Sequence, residues 1–226
     1  MRAPISVIIP TLDAAGELPQ CLAALVEGLE CGLVRELIVS DGGSGDATRE
    51  IVERWGGEWR EGAASRGGQL RRGCAAARGD WLLVLHADTV LAPGWSQDVA
   101  AHLARGTAAC FRLRFDASSP AARLVAGWAN LRSRLGLPYG DQGLLLPRSL
   151  YESIGGFPDQ PLMEDVALVR ALHGQITLLR AEAVTSAEKY RRQGWLRRGG
   201  RNLLTLLRYF TGTAPETLAR AYRRQE

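Results

Sequence analysis

Short apolar runs alternate along this chain with stretches in which apolar residues recur every three or four positions, and the alternation predicts strand followed by helix. Residues 5–9 (ISVII) form an apolar run ended by Pro10, as in a strand buried on both faces. Leu18, Leu22, Leu25 and Leu29 recur at spacings of four, three and four, which puts them on one helix face with Gly32 as the stop. Residues 36–40 read as a second strand and residues 41–46 as a loop. Ile51, Val52 and Trp55 then mark a second helix, for which Asp46 is the expected N-cap. A weak strand near Trp59, a helix over residues 68–78 and a strand over 81–85 (WLLVL) continue the rhythm. Regular alternation of this kind implies a parallel sheet covered on both faces.

The rhythm changes after Asp88. Pro93 and Gly94 open a helix to about residue 104. CFRLRFD then sets Phe111, Leu113 and Phe115 against Arg112 and Arg114, the period of a strand with one wet face. A long helix over 120–135 leads through the loop LPYGDQG into a short strand, and the loop GGFPDQPLMED precedes a helix over 164–173. Two short strands near Ile176 and Ala183 and two basic helices close the chain. The expected fold class is α/β, a mostly parallel central sheet with helices on both faces and a mixed C-terminal half.

Composition narrows the class. A chain of 226 residues, 46% hydrophobic, can bury one medium-sized core, and no linker, repeat or low-complexity tract divides it, so a single domain over 1–226 is expected. Cys21, Cys31, Cys74 and Cys110 show neither CxxC spacing nor clustered histidine, which favours reduced, buried thiols over a zinc site or a disulfide frame. The N-terminal apolar stretch is too short for a signal peptide, and no run approaches the roughly 20 apolar residues of a membrane helix. A cytoplasmic protein is expected. The net charge of +4 gathers in arginines at 191–201 and 220–224, a basic tail and not a nucleic-acid surface. The segment WLRRGGRNLLTLLRYF is both basic and apolar. It reads either as a packed helix with solvated arginines or as a helix lying peripherally on the inner face of an anionic membrane.

Candidate chemistry lies where the strands end. In open parallel sheets ligands bind outside the carboxyl ends of the strands. Thr11 and Asp13 follow the first strand, Asp41 ends the second, and His86 and Asp88 follow the fully apolar WLLVL. Several carboxylates on one rim of a positively charged chain suggest a cation bridging to an anion such as a diphosphate.

The segments PTLDAAGEL, VSDGGSGDAT, LHADT, GDQG and LMED occur in that order, and the resemblance they carry runs from about residue 5 to residue 224. Together they resemble the family 2 inverting glycosyltransferases of the GT-A (Rossmann-like) fold, in particular small bacterial members with HADT, YGDQG and PLMED signatures. The resemblance implies metal-assisted transfer of a hexosyl group from a nucleoside-diphosphate sugar, a UDP-sugar among the candidates, to an acceptor hydroxyl with inversion. It implies a nucleotide-binding half over 1–90, an acceptor and catalytic half over 91–190 and basic C-terminal helices over 191–226. Pro10, Thr11 and Asp13 would hold the nucleotide, Asp41 its base, and Arg66 and Gln69, at a helix start, the donor. Asp88 would bind Mn²⁺ or Mg²⁺ together with the diphosphate. His86 stands where the family's first metal-motif acid sits, and imidazole suits Mn²⁺ better than Mg²⁺. Asp165, beside Glu164, matches the catalytic base, and Asp141 and Gln142 would line the sugar or acceptor side. The acceptor is unspecified, a lipid-linked one being among the possibilities, and no nucleic-acid partner is implied.

Simpler readings exist for several of these residues. Asp41 can open a Gly-rich turn, and Asp165 can be a first-turn carboxylate favoured by the helix dipole. Asp88 resists such a reading, because a carboxylate directly after a wholly apolar strand is costly to bury unpaired. Two other functions compete. A sugar-phosphate nucleotidyltransferase would carry a glycine- and lysine/arginine-rich signature where this chain has PTLDAAG. A non-catalytic nucleotide-sugar-binding or scaffold protein is favoured by His86 in place of an acid and opposed by Asp41, Asp88 and Asp165 occurring together.

Overall fold

The first strand, β1 (Ile5–Thr11), turns Ile5, Val7 and Ile9 to one side and Ile8 to the other, and that split organises the molecule. The structure is a computed structural model describing residues 2–223; Arg224 of the basic tail lies outside the described residues. β1 lies between β2 (Val34–Asp41) and β4 (Trp81–Val84), both parallel to it, with β3 (Glu58–Glu61) parallel beyond β2. The sheet continues as β7 (Leu144–Pro147), β6 (Ala108–Phe115), β8 (Ile176–Thr185) and β5 (Thr89–Leu91), giving the order β3-β2-β1-β4-β7-β6-β8-β5. β7 is antiparallel to both its neighbours, β8 is parallel to β6, and β5 is antiparallel at the edge.

Helices cover both faces because both faces are apolar. On the side of Ile5, Val7 and Ile9 lie α1 (Leu18–Glu30), α2 (Thr48–Arg54) and α4 (Trp95–Leu103), joined through Leu22, Val52 and the fully buried Trp95. The indole N–H of Trp95 donates to the carbonyl of Ala24 at 2.9 Å, which satisfies its one polar atom. On the side of Ile8 lie α3 (Arg66–Ala76), α6 (Arg148–Ser153) and α7 (Glu164–Ala171), joined through Leu70, Tyr151 and Leu168. Each fully buried aliphatic side chain of β1 contributes about 1.5–3 kcal/mol. A smaller cluster seats α5 (Pro120–Arg134) against α8 (Glu188–Gln193) and the start of α9 (Trp195–Phe210) through Phe115, Ala129, Tyr190 and Trp195. Leu206 of α9 and Leu218 of α10 (Pro215–Arg223) pack on Met163 and Val166 at the start of α7.

Register places the site. Thr11 lies opposite Asp41 and Ile8 opposite Val84, so β1, β2 and β4 finish on one rim. Leu144 lies opposite Val84, so the antiparallel β7 begins there.

The structure corrects the pattern in several places. Pro10 does not end β1. The carbonyl of Ile8 faces β4, accepting from Leu85 N–H at 3.0 Å, so by alternation Pro10 faces the same side, where β4 has already ended and no ladder donor is missed. The N-cap of α2 is Ala47; Asp46 sits one residue earlier, accepts from the Thr48 N–H at 3.0 Å and ties the loop back by accepting from Ala15 N–H at 2.9 Å. α3 starts at Arg66 because the Ser65 hydroxyl caps it, accepting from Gly68 N–H. The two strands expected near Ile176 and Ala183 are one ten-residue strand, whose pairing with β6 shifts register between Cys110 and Arg112 and so breaks the alternation. The described part of the basic C-terminal segment holds three helices, not two, and β5 and α6 are elements with no signal in the pattern.

Candidate active site

The C-terminal ends of β1 and β2 form a rigid corner. Asp41 is fully buried and spends both carboxylate oxygens locally. Oδ1 accepts from the hydroxyls of Thr11 (2.7 Å) and Ser44 (2.5 Å), and Oδ2 from the N–H groups of Gly43 (2.6 Å) and Ser44 (2.7 Å). Burial pushes its pKa up, but these donors outweigh it and hold the carboxyl below its ordinary value. Asp13, exposed and in the left-handed region at φ +50°, accepts from Gly45 N–H at 2.8 Å and bridges the loops after β1 and β2. Gln69, buried on α3, donates to the carbonyls of Thr11 (2.7 Å) and Ser40 (3.0 Å), so its amide hydrogens lock the two strand ends together.

A second group gathers where β4 ends and β7 begins. His86 and Asp88 follow β4, a 3₁₀ turn over Gly140–Gln142 precedes β7, and Glu164 and Asp165 open α7. Asp165 is fixed by two N–H groups, its Oδ2 accepting from Gly140 and its Oδ1 from Val166, each at 2.7 Å. Gly140 has to be glycine here: a Cβ would lie 2.6 Å from Nε2 of His86 and 3.5 Å from Oδ2 of Asp165. The residue capping α7, Met163, has φ +64°, a strained conformation for a side chain of its size. Its packing against Leu206 and Leu218 holds it there.

Charges at this centre are densely coupled. Burial and the field of Arg66 depress His86 to about 4, against the opposing pull of Asp88 and Asp165, so the imidazole is neutral at physiological pH. Glu164 is almost wholly buried. Burial and the neighbouring Asp165 raise it to about 7, although Arg66 Nε stands 3.7 Å from its Oε1. Asp141 is raised to about 6 by burial and by Asp165 and Asp88, with Arg132 opposing, and its buried Oδ1 has no hydrogen-bond partner among the described residues. The side chain of Arg66 stays half-exposed, and the desolvation its charge does meet is outweighed by Glu164, Asp165 and Asp88, which together hold its guanidinium more firmly protonated than usual.

Two residues absent from the sequence-based set complete the wall. Arg132 of α5 is buried, lies 3.2 Å from the ring centroid of Tyr139 and opposes the rise of Asp141. Its position seven residues after Val125 and three after Ala129, on the inward face of α5, is the signal that marks it. Of the residues expected here, Arg66, His86, Asp88, Asp141, Glu164 and Asp165 form this centre, while Pro10, Thr11, Asp13, Asp41 and Gln69 form the adjoining corner. Gln142 is drawn away from it. Fully buried, it donates to Phe111 O at 3.0 Å and accepts from the Ser133 hydroxyl at 2.6 Å, anchoring the turn instead of presenting an amide to a ligand.

No set of three or more His, Cys, Asp or Glu side chains converges as a ready-made metal cage among the described residues. The centre nonetheless suits one cation. Asp88 is half-buried at its edge, and Asp141 holds a buried Oδ1 that has no hydrogen-bond partner among the described residues, an oxygen that a cation would satisfy.

A profile described as Glycosyl transferase family 2 matches residues 6–143. PGL/p-HBAD biosynthesis glycosyltransferases of Mycobacterium bovis (strain BCG / Pasteur 1173P2) and Mycobacterium tuberculosis (strain ATCC 25177 / H37Ra) are 39% identical over 99 residues. Those alignments cover 40% of this chain and only 38% of each relative. Among solved structures, glucosyl-3-phosphoglycerate synthase from Mycobacterium tuberculosis in complex with Mn²⁺, UDP and phosphoglyceric acid superposes with a TM-score of 0.65 at 21% identity, covering 92% of this chain and 78% of that one. S. aureus TarS 1-349 in complex with UDP superposes at 0.60 and 17% identity, covering 84% of this chain and 62% of that one. These likenesses show a common GT-A fold.

Proposed function

This chain belongs to glycosyl transferase family 2, and from that premise we propose that it moves a sugar from a nucleoside-diphosphate sugar to an acceptor hydroxyl with inversion, Asp165 acting as general base. One observation carries the reading: a carboxylate held by two backbone N–H groups opens α7 within electrostatic reach of His86, Asp141 and Arg66, all three of which Asp88 also reaches, at the rim where the parallel strands end. Each oxygen of Asp165 accepts one N–H bond and keeps lone-pair capacity, so either can take the proton of a hydroxyl as it attacks the anomeric carbon. A base on the acceptor side, with the leaving diphosphate on the other, gives inversion.

The donor fits the adjoining corner. Thr11, Asp13 and Asp41 frame the nucleotide there, and the uridine nucleotides in the two neighbouring structures support a UDP-sugar. As it stands the Asp41 carboxylate is saturated, so contact with a base requires exchange of one of its N–H or O–H partners. Arg66 faces the centre from the first turn of α3, where a cation beside a helix N-terminus suits a phosphate. Glu164, buried against it, aims its guanidinium. Asp88 is the residue to hold Mn²⁺ or Mg²⁺, with neutral His86 beside it. When bound, that ion supplies charge neutralisation on the departing diphosphate.

Peripheral membrane contact is favoured by a separate observation. Among the described residues, nine of the twelve large apolar side chains that stand exposed lie on α9 or along α5 and its C-cap, Leu124, Trp128, Leu131, Leu135, Leu196 and Leu203 among them. α9 carries arginines beside its apolar stripe, a pattern that suits an anionic cytoplasmic leaflet and a lipid-linked acceptor. No helix among the described residues is long and apolar enough to cross a membrane.

The test is release of nucleoside diphosphate from a panel of nucleoside-diphosphate sugars with Mn²⁺. Asp165→Asn is expected to lower transfer about 10²- to 10⁴-fold while donor binding, read by calorimetry, stays intact. Asp88→Ala is expected to weaken metal-dependent donor binding. Transfer at the wild-type rate in Asp165→Asn removes the assigned base.

A further inference from the structure

Beside the catalytic centre, α8, α9 and α10 enclose a cavity of about 540 Å³ lined by five arginines, Arg192, Arg197, Arg198, Arg201 and Arg208, and by no acidic side chain among the described residues. Like charges gathered in a concavity repel one another, and the arrangement is stable when an anion screens them. Arg192, Arg197 and Arg208 are exposed and form no ion pair among the described residues. Arg198 is 7% exposed, and among the described residues its guanidinium meets only neutral acceptors, Gln193 Oε1 at 2.8 Å and the Tyr222 hydroxyl at 3.1 Å, with its Nε left without a partner there. A buried cation with an unpartnered donor on a basic pocket is a built anion site, and the planar fork of arginine matches phosphate oxygens.

The pocket adjoins the reacting centre through two tyrosines. Arg198 lies 5.3 Å over the ring of Tyr190, and Asp141 is close enough to Tyr190 to help raise its pKa, after burial. Tyr222 lines the pocket and acts electrostatically on Arg66. The helices that form the pocket pack on Met163 and Val166, the residues bracketing Glu164 and Asp165. The pocket therefore adjoins the start of α7, where the base lies, and none of its lining residues belongs to the corner of Thr11 and Asp41 that suits the nucleotide.

We propose that this arginine pocket seats a phosphate group of the acceptor, so that the acceptor is a phosphorylated molecule whose hydroxyl is delivered to Asp165. The assignment rests on the transferase reading and names its acceptor class. A free phosphomonoester and a lipid phosphate headgroup share the recognised chemistry.

Titration of inorganic phosphate, followed by phosphorus NMR line broadening, tests the pocket in wild type and in Arg192→Gln/Arg197→Gln, whose exposed side chains leave the thermal midpoint unchanged. Saturable binding in the millimolar range, weakened at least tenfold in the double variant, is expected. Absence of saturable binding, or equal binding by the two proteins, overturns the pocket. Release of UDP from UDP-glucose with Mn²⁺ is then compared for glycerol 3-phosphate against glycerol, and for phosphatidic acid vesicles against phosphatidylcholine vesicles. Stimulation in the first pair assigns a free phosphorylated acceptor and in the second a lipid headgroup. Identical rates within both pairs overturn the acceptor class. Acceptor-independent UDP release in the same samples reports the transferase reading alone, so its failure is told apart from failure of the pocket.

Discussion

At the scale of single residues the centre is organised by carboxyls that resist ionisation. The folded Glu164 holds its proton more tightly than an unfolded glutamate, so folding takes up a proton between pH 4.5 and about 7 and stability falls as pH rises through that window. Glu164→Gln mimics the protonated form. It is expected to be more stable than wild type by on the order of 2 kcal/mol above pH 7 and to show no such advantage below pH 4.5, which thermal melts at the two pH values check. Gly140→Ala places a methyl against His86 and disturbs the N–H that holds Asp165. Activity is expected to fall about 10²-fold, the scale of a misplaced catalytic group, with the fold retained by circular dichroism. His86→Asp restores an acid beside Asp88 and is expected to strengthen Mg²⁺-supported donor binding relative to Mn²⁺ several-fold, read by calorimetry with each metal. That His86 and Asp88 follow a wholly apolar strand, and that Asp165 opens a helix, was legible in the sequence. Arg132 was not, because an arginine on a helix declares itself only once the inward face is known.

At the scale of elements the site depends on how strand ends are tied. Gln69 joins β1 to β2 through two carbonyls, and Gln69→Leu leaves the Ser40 carbonyl without that donor in a fully buried corner. A loss of about 1–3 kcal/mol is expected from chemical denaturation, accompanied by weaker donor binding as the Asp41 loop loosens. The same tie explains a limit of the sequence. Gln69 and Gln142 looked like ligand contacts from their motifs, yet an amide serves equally well as an internal clamp, and only three-dimensional neighbours decide which. β1, β4 and the helix of Leu18, Leu22 and Leu25 were readable because their apolar periods are strong. β5 was not, since three residues make a strand only when β8 lies beside them.

At the scale of the molecule the apolar stripes of α5 and α9 predict behaviour that no single residue does. Leu203→Ser/Leu207→Ser removes two side chains that are 42% and 53% exposed, so the fold is expected to hold while sedimentation with anionic vesicles drops several-fold; unchanged sedimentation would exclude α9 as the contact. The sequence by itself determined the parallel half of the sheet and the identity of the acids at its rim, because hydrophobic period and strand-end position are local properties of the chain. It also determined the basic, apolar character of the C-terminal segment. The tertiary structure alone decided which acids share one field, since Asp88 and Asp165 act on the buried Asp141 through space from elements far apart in the chain, while Asp41 is saturated by Thr11 and its own loop. It alone made a cavity of the C-terminal arginines, because a charge run becomes a pocket only when three helices fold around it.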